Sequence, residues 1–155
     1  MSDIVWVINS NKDHLSDLVQ RMRRFASDLF TARQIEFTFS APGEEQALKI
    51  GADLRRQVFL IFKEAVNNIA RHSQCTEAQI ELRIESKSVM VTISDNGAGF
   101  APSDMNEGHG LTSMRARAKE LGGELQITSN DGRGTTILLT VPLSATVIHR
   151  DGRGR

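Results

Sequence analysis

The chain has 155 residues, 25% of them charged and 39% hydrophobic, the make-up of one soluble globular domain with a core of its own. Its 19 basic residues balance 19 acidic ones, so net charge points to neither nucleic acid nor an acidic partner. A lone cysteine, Cys75, excludes an internal disulfide, and there is neither a signal peptide nor an apolar run long enough to span a bilayer.

The chain opens with an apolar cluster, Ile4, Val5, Trp6, Val7 and Ile8, that has no partner of its own. It reads as a linker (residues 1–12) in a piece of a longer protein. Leu15, Leu18, Val19, Met22, Phe25, Ala26 and Leu29 then recur at helical spacing, which predicts a helix to about Ala32, capped by Asn11 or Asp13. Ile35, Phe37 and Phe39 alternate with polar residues as in a half-buried strand, ended by Pro42-Gly43. A long amphipathic helix follows Glu44-Glu45 and runs to about His72, with Leu54, Val58, Ile61, Phe62, Ala65 and Ile69 on its apolar side. Glu64, Asn67, Asn68, Arg71 and His72 fall on one arc of that helix. Solvated helix faces usually carry Lys and Glu, and two adjacent Asn in mid-helix cost helix propensity. The arc is therefore either a plain solvated face or a set of side chains kept for chemistry, and this segment alone does not decide.

Residues 78–85 and 89–93 alternate with period two around Ser86-Lys87-Ser88, the pattern of a hairpin. Asp95 continues in phase with Val89, Val91 and Ile93, so its carboxylate should point to the buried side and need a partner there. The stretch DNGAGFAPSDMNEGHGL is too long and glycine-rich for a simple connection. Leu111, Met114, Ala118 and Leu121 give a short helix closed by Gly122-Gly123. Leu125 and Ile127, a turn at 130–134, and Ile137, Leu139 and Val141 form a second hairpin, closed by Pro142. The polar, Gly- and Arg-rich tail 144–155 reads as disordered. Strands arriving in hairpins, with helices in separate runs, predict an α+β fold: a two-layer α/β sandwich whose mixed, mostly antiparallel sheet carries helices on one face.

Three clusters have chemical potential. In the helical arc, Asn68 offers a neutral oxygen suited to Mg²⁺, Arg71 a phosphate contact one turn on, and Glu64 a base one turn before. Asp95-Asn96-Gly97-Ala98-Gly99 joins a strand-end acceptor for an exocyclic amine to glycines that let a flat ring approach, although an Asp-Asn-Gly turn is common. Gly108-His109-Gly110-Leu111 precedes a helix N-terminus, a place for phosphate or a simple hinge. The phosphate-binding Gly-rich loop that ends in Gly-Lys-Ser/Thr is absent, as are the protein-kinase motifs.

In this order and spacing the motifs resemble the ATP-binding domain of sensor histidine kinases, the Bergerat-type fold shared with gyrase, Hsp90 and MutL. EAVNNIARHS resembles the family's N box, DNGAGF its G1 box, GHGL its G2 box and GRGTT its final Gly-Thr motif; the details are closest to the nitrate-sensor and lipid-fluidity-sensor subgroup. The resemblance covers residues 15–143. It implies that Asn68 binds Mg²⁺, that Glu64 helps activate the substrate histidine, and that Arg71, usually Lys, faces the phosphates beside His72. It also implies that Asp95 binds adenine with support from Thr135. Gly97, Gly99, Gly108, Gly110 and Leu111 would be loop positions around the nucleotide, residues 101–109 a short ATP lid, and Asn67 would have no role.

The same resemblance implies a catalytic domain over 13–143 that passes the γ-phosphoryl of ATP to a histidine of a separate dimerisation domain. His14 precedes Leu15 rather than an acid, and His149 lies in the tail, so the acceptor histidine is expected upstream. A downstream response regulator, a homodimeric full-length protein, a monomeric isolated domain and a place in the cytoplasmic part of a membrane-bound sensor are the further expectations. A stand-alone serine kinase of the anti-sigma type and a non-catalytic nucleotide-binding module stay open as alternatives.

Overall fold

The computed structural model describes residues 14–43, 48–99, 111–130 and 133–143. The expected linker, lid and tail, together with Gly108 and Gly110, lie outside them.

Helix α1 (Leu15–Ala32) buries Leu15, Leu18, Val19, Met22, Ala26 and Phe30, one stripe at three- and four-residue spacing. Its N-cap is His14, not Asn11 or Asp13: the His14 backbone N–H donates to Asp17 Oδ2 at 3.2 Å. The first helical residue is tied down as well, with Leu15 N–H donating to the Leu48 carbonyl at 2.8 Å. Strand β1 (Glu36–Ser40) follows and packs Phe37 against Phe30, ring centroids 5.5 Å apart.

Helix α2 (Ala52–Asn68) lies between α1 and the last helix and buries a wider arc: Leu54, Val58, Phe59, Ile61, Phe62, Ala65 and Val66. Phe25 of α1 meets Phe59 and Phe62 edge-on at 5.9 and 6.5 Å. Phe62 is fully buried, and truncating such a side chain to Ala costs about 3–5 kcal/mol. The expected helix to His72 is continuous in direction but not in kind. From Ile69 to Ser73 it widens into a π turn, and Gln74 ends it in the left-handed region at φ 57°.

Strands β2 (Glu77–Glu85) and β3 (Ser88–Asp95) form the expected hairpin, with Glu85 opposite Ser88. The turn is only Ser86-Lys87, both at positive φ (51° and 61°), which matches the right-handed twist of the strands without the usual Asn-Gly. Helix α3 (Leu111–Glu120) ends as Gly122-Gly123 predicts: Gly122 sits at φ 72°, and the N–H groups of Gly122 and Gly123 close back on the Lys119 and Ala118 carbonyls. Strands β4 (Glu124–Asn130) and β5 (Gly134–Pro142) complete the sheet.

The sheet order is β1-β2-β3-β5-β4. Only β1 and β2 run parallel, because α2 crosses over between them; the other pairs are antiparallel. Period-two alternation sends Ala78, Ile80, Leu82, Val89, Val91, Ile93, Ile137, Leu139 and Val141 into one core with the helices, while Gln79, Glu81 and Arg83 face water. This is the expected two-layer sandwich with helices on one face.

Candidate functional site

The register of the sheet places Asp95. It is the last residue of β3 and stands opposite Ala78, so it keeps the inward phase of Val89, Val91 and Ile93 but sits where the ladder runs out. Its Oδ1 accepts the Gly97 N–H at 2.7 Å, closing a tight turn. Its Oδ2 is buried and has no hydrogen-bond partner among the described residues. Burial raises the Asp95 pKa above its ordinary value, and the backbone N–H groups of Gly97 and Thr135 partly offset this. A buried acceptor that no described residue satisfies, at a strand end, is a candidate place for a ligand donor such as an exocyclic amine.

Thr135 lies on β5, the neighbouring strand, 4% exposed and in the same inward phase; its Oγ1 is 3.2 Å from Ser129 Oγ. Beside it, Gly134 adopts φ +91°, and a Cβ there would stand 1.9 Å from the Asp95 carbonyl oxygen. Only glycine lets β5 come this close to the Asp95 backbone. Sequence reading placed Gly134 in the Gly-Thr motif without a role of its own; its signal was the glycine directly before Thr135. Gly97 is buried within the turn, and Gly99 leaves it at φ 77°.

The second part of the site is the end of α2, and here the structure corrects the expectation of one arc. Asn68 turns into the protein and is 2% exposed, whereas Arg71 and His72 are exposed on the π turn. Glu64 is half-buried and, with Lys63, Asn67, Ser113, Met114 and Arg117, lines a hollow of about 180 Å³ between α2 and α3. Neighbours on a helix are about 100° apart, so Asn67 and Asn68 part to different sides. The π turn then takes an extra residue into the ring and rotates whatever follows away from an α-helical projection. Asn67, given no role from the sequence, thus shares Glu64's hollow. Leu111 is buried at the start of α3, where the chain returns to the core. A larger hollow of about 540 Å³ between α1 and β1 shares no residue with any of these groups.

The two parts are joined by a short path. The π turn leads through Cys75 directly into β2, whose first residues pair with the end of β3. Asn96 spans that junction: its Oδ1 accepts the N–H groups of Thr76 and Glu77, each at 3.0 Å, and its Nδ2 donates to Thr76 Oγ1 at 3.0 Å.

For a divalent cation the donor set is sparse. Asn68 brings a single neutral amide oxygen, and no group of three His, Cys, Asp or Glu is assembled among the described residues. That fits an ion carried mainly by phosphate oxygens and water, as Mg²⁺ usually is, and not one held in a protein cage.

Comparison with known proteins agrees with this architecture. Residues 53–145 match the family described as histidine kinase-, DNA gyrase B-, and HSP90-like ATPase. The chain is 30% identical over 135 residues to the signal transduction histidine-protein kinase/phosphatase DegS of Bacillus subtilis, covering 82% of this chain and 34% of DegS. It spans about a third of the length of the curated relatives it matches. The blue-light activated histidine kinase of Erythrobacter litoralis superposes with a TM-score of 0.73 at 21% identity, over 84% of this chain and 43% of that one. The catalytic domain of the histidine kinase ThkA superposes with a TM-score of 0.68 at 18% identity, over 83% of this chain and 92% of that one. With a family match over residues 53–145, more than half of the chain, the chain belongs to the histidine kinase-, DNA gyrase B-, and HSP90-like ATPase family, a family of ATP-binding domains.

Proposed function

We propose that this chain is the catalytic ATP-binding part of a two-component sensor histidine kinase, and that it passes the γ-phosphoryl group of ATP to a histidine on a separate dimerisation domain. The observation that carries the reading is the buried Oδ2 of Asp95, without a partner among the described residues, at the strand end beside Gly97 and Thr135 and one short link from the end of α2. Adenine would donate its amine to Asp95. Its ring would lie against the backbone of the Gly97–Gly99 turn.

The triphosphate would extend toward the end of α2. There Asn68 would hold Mg²⁺ together with the phosphates, and Arg71 and His72 would contact phosphate oxygens. The bound cation supplies charge neutralisation on the transferring group. Glu64 is one turn before Asn68 and open to the α2–α3 hollow. From there it would accept a proton from, or orient, the incoming imidazole, so that a neutral nitrogen attacks in line. Most of the rate would come from positioning, and the chain alone would bind nucleotide with little turnover. An acceptor histidine on an upstream domain, a response regulator downstream and a homodimeric parent protein follow from the same reading. No described helix is long and apolar enough to cross a membrane.

The test has two stages. Calorimetry should show ATP binding that tightens with Mg²⁺. Labelled ATP and a histidine-bearing two-helix domain should then give an acid-labile phosphoprotein, lost in Glu64→Gln without loss of ATP affinity. An acid-stable label on serine would point to the serine-kinase alternative, and absence of ATP binding would end the proposal.

A further inference from the structure

The turn that carries Arg71 and His72 is a π turn, a rare geometry that recurs at functional sites. It closes on Gln74 in the left-handed region, at the C-terminal end of α2. A side chain from another element reaches the turn, and a second braces the strand that follows it. Arg33 Nη1 donates to the Ala70 carbonyl at 3.0 Å. Arg33 is itself the C-cap of α1, with its backbone N–H bonded to the Phe30 carbonyl at 3.1 Å, so the guanidinium starts from a fixed point. A cation beside the last turn of a helix is also favoured by the helix dipole.

On the other side, Asn96 makes the three side-chain bonds to Thr76 and Glu77 described above, and its own N–H donates to the Glu77 carbonyl at 3.2 Å. An Asn in an ordinary Asp-Asn-Gly turn would bond within its own loop. Here every Asn96 side-chain bond reaches 19 or 20 residues back, to the segment that leaves the π turn. Successive residues of an extended chain face opposite sides, so Asp95 turns to the pocket and Asn96 to the start of β2.

We infer that Asn96, seconded by Arg33, is a positioning residue: it sets the distance and angle between the Asp95 carboxylate and the π turn that presents Arg71 and His72. Neither residue touches nucleotide; each acts through backbone. The inference rests on the proposed reading, in which Asp95 meets adenine and the π turn meets phosphates. Asp95 keeps its place without Asn96, because it follows a strand paired on both sides up to Ser94, stands opposite Ala78, and accepts the Gly97 N–H. Loss of Asn96 should therefore harm the phosphate end and spare the adenine end.

The experiment is competition binding of ATP with Mg²⁺ and of adenosine to the whole chain. Asn96→Ala should weaken ATP about tenfold and adenosine by less than about twofold, the size expected for loss of a few partly exposed hydrogen bonds. In an Arg71→Ala background the same change should add less than about twofold, since residues acting through one another are not additive. Arg33→Ala should show the same pattern at about threefold, rescued by Arg33→Lys, which keeps a charged donor for one carbonyl. Should Asn96→Ala not fold, Thr76→Val removes one bond of the junction at an exposed position and should again weaken ATP selectively.

ATP and adenosine weakened in parallel, no change in either, or full multiplication in the double variant would overturn the inference. If Arg71→Ala itself leaves the preference for ATP over adenosine intact, what fails is the assignment of the π turn to phosphates.

Discussion

The two walls of the site are built in different ways. The Asp95 wall is sheet: Asp95, Gly134 and Thr135 lie on adjacent strands whose register is fixed by eight residue pairs to β2 and seven to β5. A slip of one residue would turn every buried side chain of β3 to water, so the carboxylate's position is as well determined as the core itself. The α2 wall is the last turn of a helix that has departed from α geometry, with exposed Arg71 and His72 at its end. The first wall presents a preformed acceptor. The second presents long, solvated side chains whose placement depends on bonds from elsewhere in the chain. In the proposed reading, such a site would meet the rigid part of its ligand with a rigid wall and the flexible, charged part with an adjustable one.

Gly134→Ala attacks the sheet wall where it is tightest. It forces a Cβ against the Asp95 carbonyl at a φ that suits only glycine, and it should cost about 2–4 kcal/mol of stability, read as a lowered denaturation midpoint together with lost ATP binding. Asp95→Asn separates binding from folding: ATP affinity should fall by about 100-fold or more because the acceptor is replaced by a donor, while the melting temperature at pH 7 changes little. If calorimetry shows ATP binding unchanged in that variant, the site assignment is wrong.

The same carboxylate supplies a pH prediction. Burial raises its pKa in the fold, so the folded state holds the proton more tightly than the unfolded chain. Its unfavourable contribution to stability is absent below the ordinary carboxylate pKa, grows as pH rises through the raised one, and is constant above it. Wild type should therefore gain on Asp95→Asn as pH is lowered from 7 toward 4, measured by parallel thermal melts. A gap that stays constant would mean that desolvation does not dominate at Asp95.

The α2 wall should respond differently. Asn68→Ala should weaken ATP about tenfold in Mg²⁺ and scarcely at all in chelator, since only the cation-linked part of binding passes through its amide. An equal loss in both conditions would make Asn68 a packing residue and erase the distinction between the walls. The smallest effect belongs to Thr135→Val, which removes the Oγ1 contact with Ser129 and keeps the shape: about 1 kcal/mol in stability and a few-fold in ATP affinity.

How much of this could be read beforehand follows the same division. The helices and strands came through because their apolar residues repeat at 3.6 or 2, and Asp95 came through because it simply continues the phase of Val89, Val91 and Ile93. Gly122-Gly123 announced the end of α3 by chemistry that is purely local. The arc of Glu64, Asn67, Asn68, Arg71 and His72 did not survive intact, because an α-helical projection assumes a period that ends at Ile69. The cap of α1 was misplaced for a related reason: His14 holds that position through Asp17 and through backbone pairing beside Lys49, a segment far along the chain.

Local patterning and motif order were enough for the two-layer architecture, the family and the carboxylate at the strand end, because each depends on residues within a few positions of one another. The open Oδ2 of Asp95, the need for glycine at 134, the separation of Asn68 from Asn67, and the reach of Asn96 and Arg33 to the π turn were decided only in the folded chain. The approach of Gly134 to Asp95 and the bonds from Asn96 and Arg33 join segments 19 or more residues apart, and a hydrogen bond or steric contact of that range leaves no period in the sequence; Asn67 and Asn68 part by the local helical angle, but what each then meets is a matter of packing.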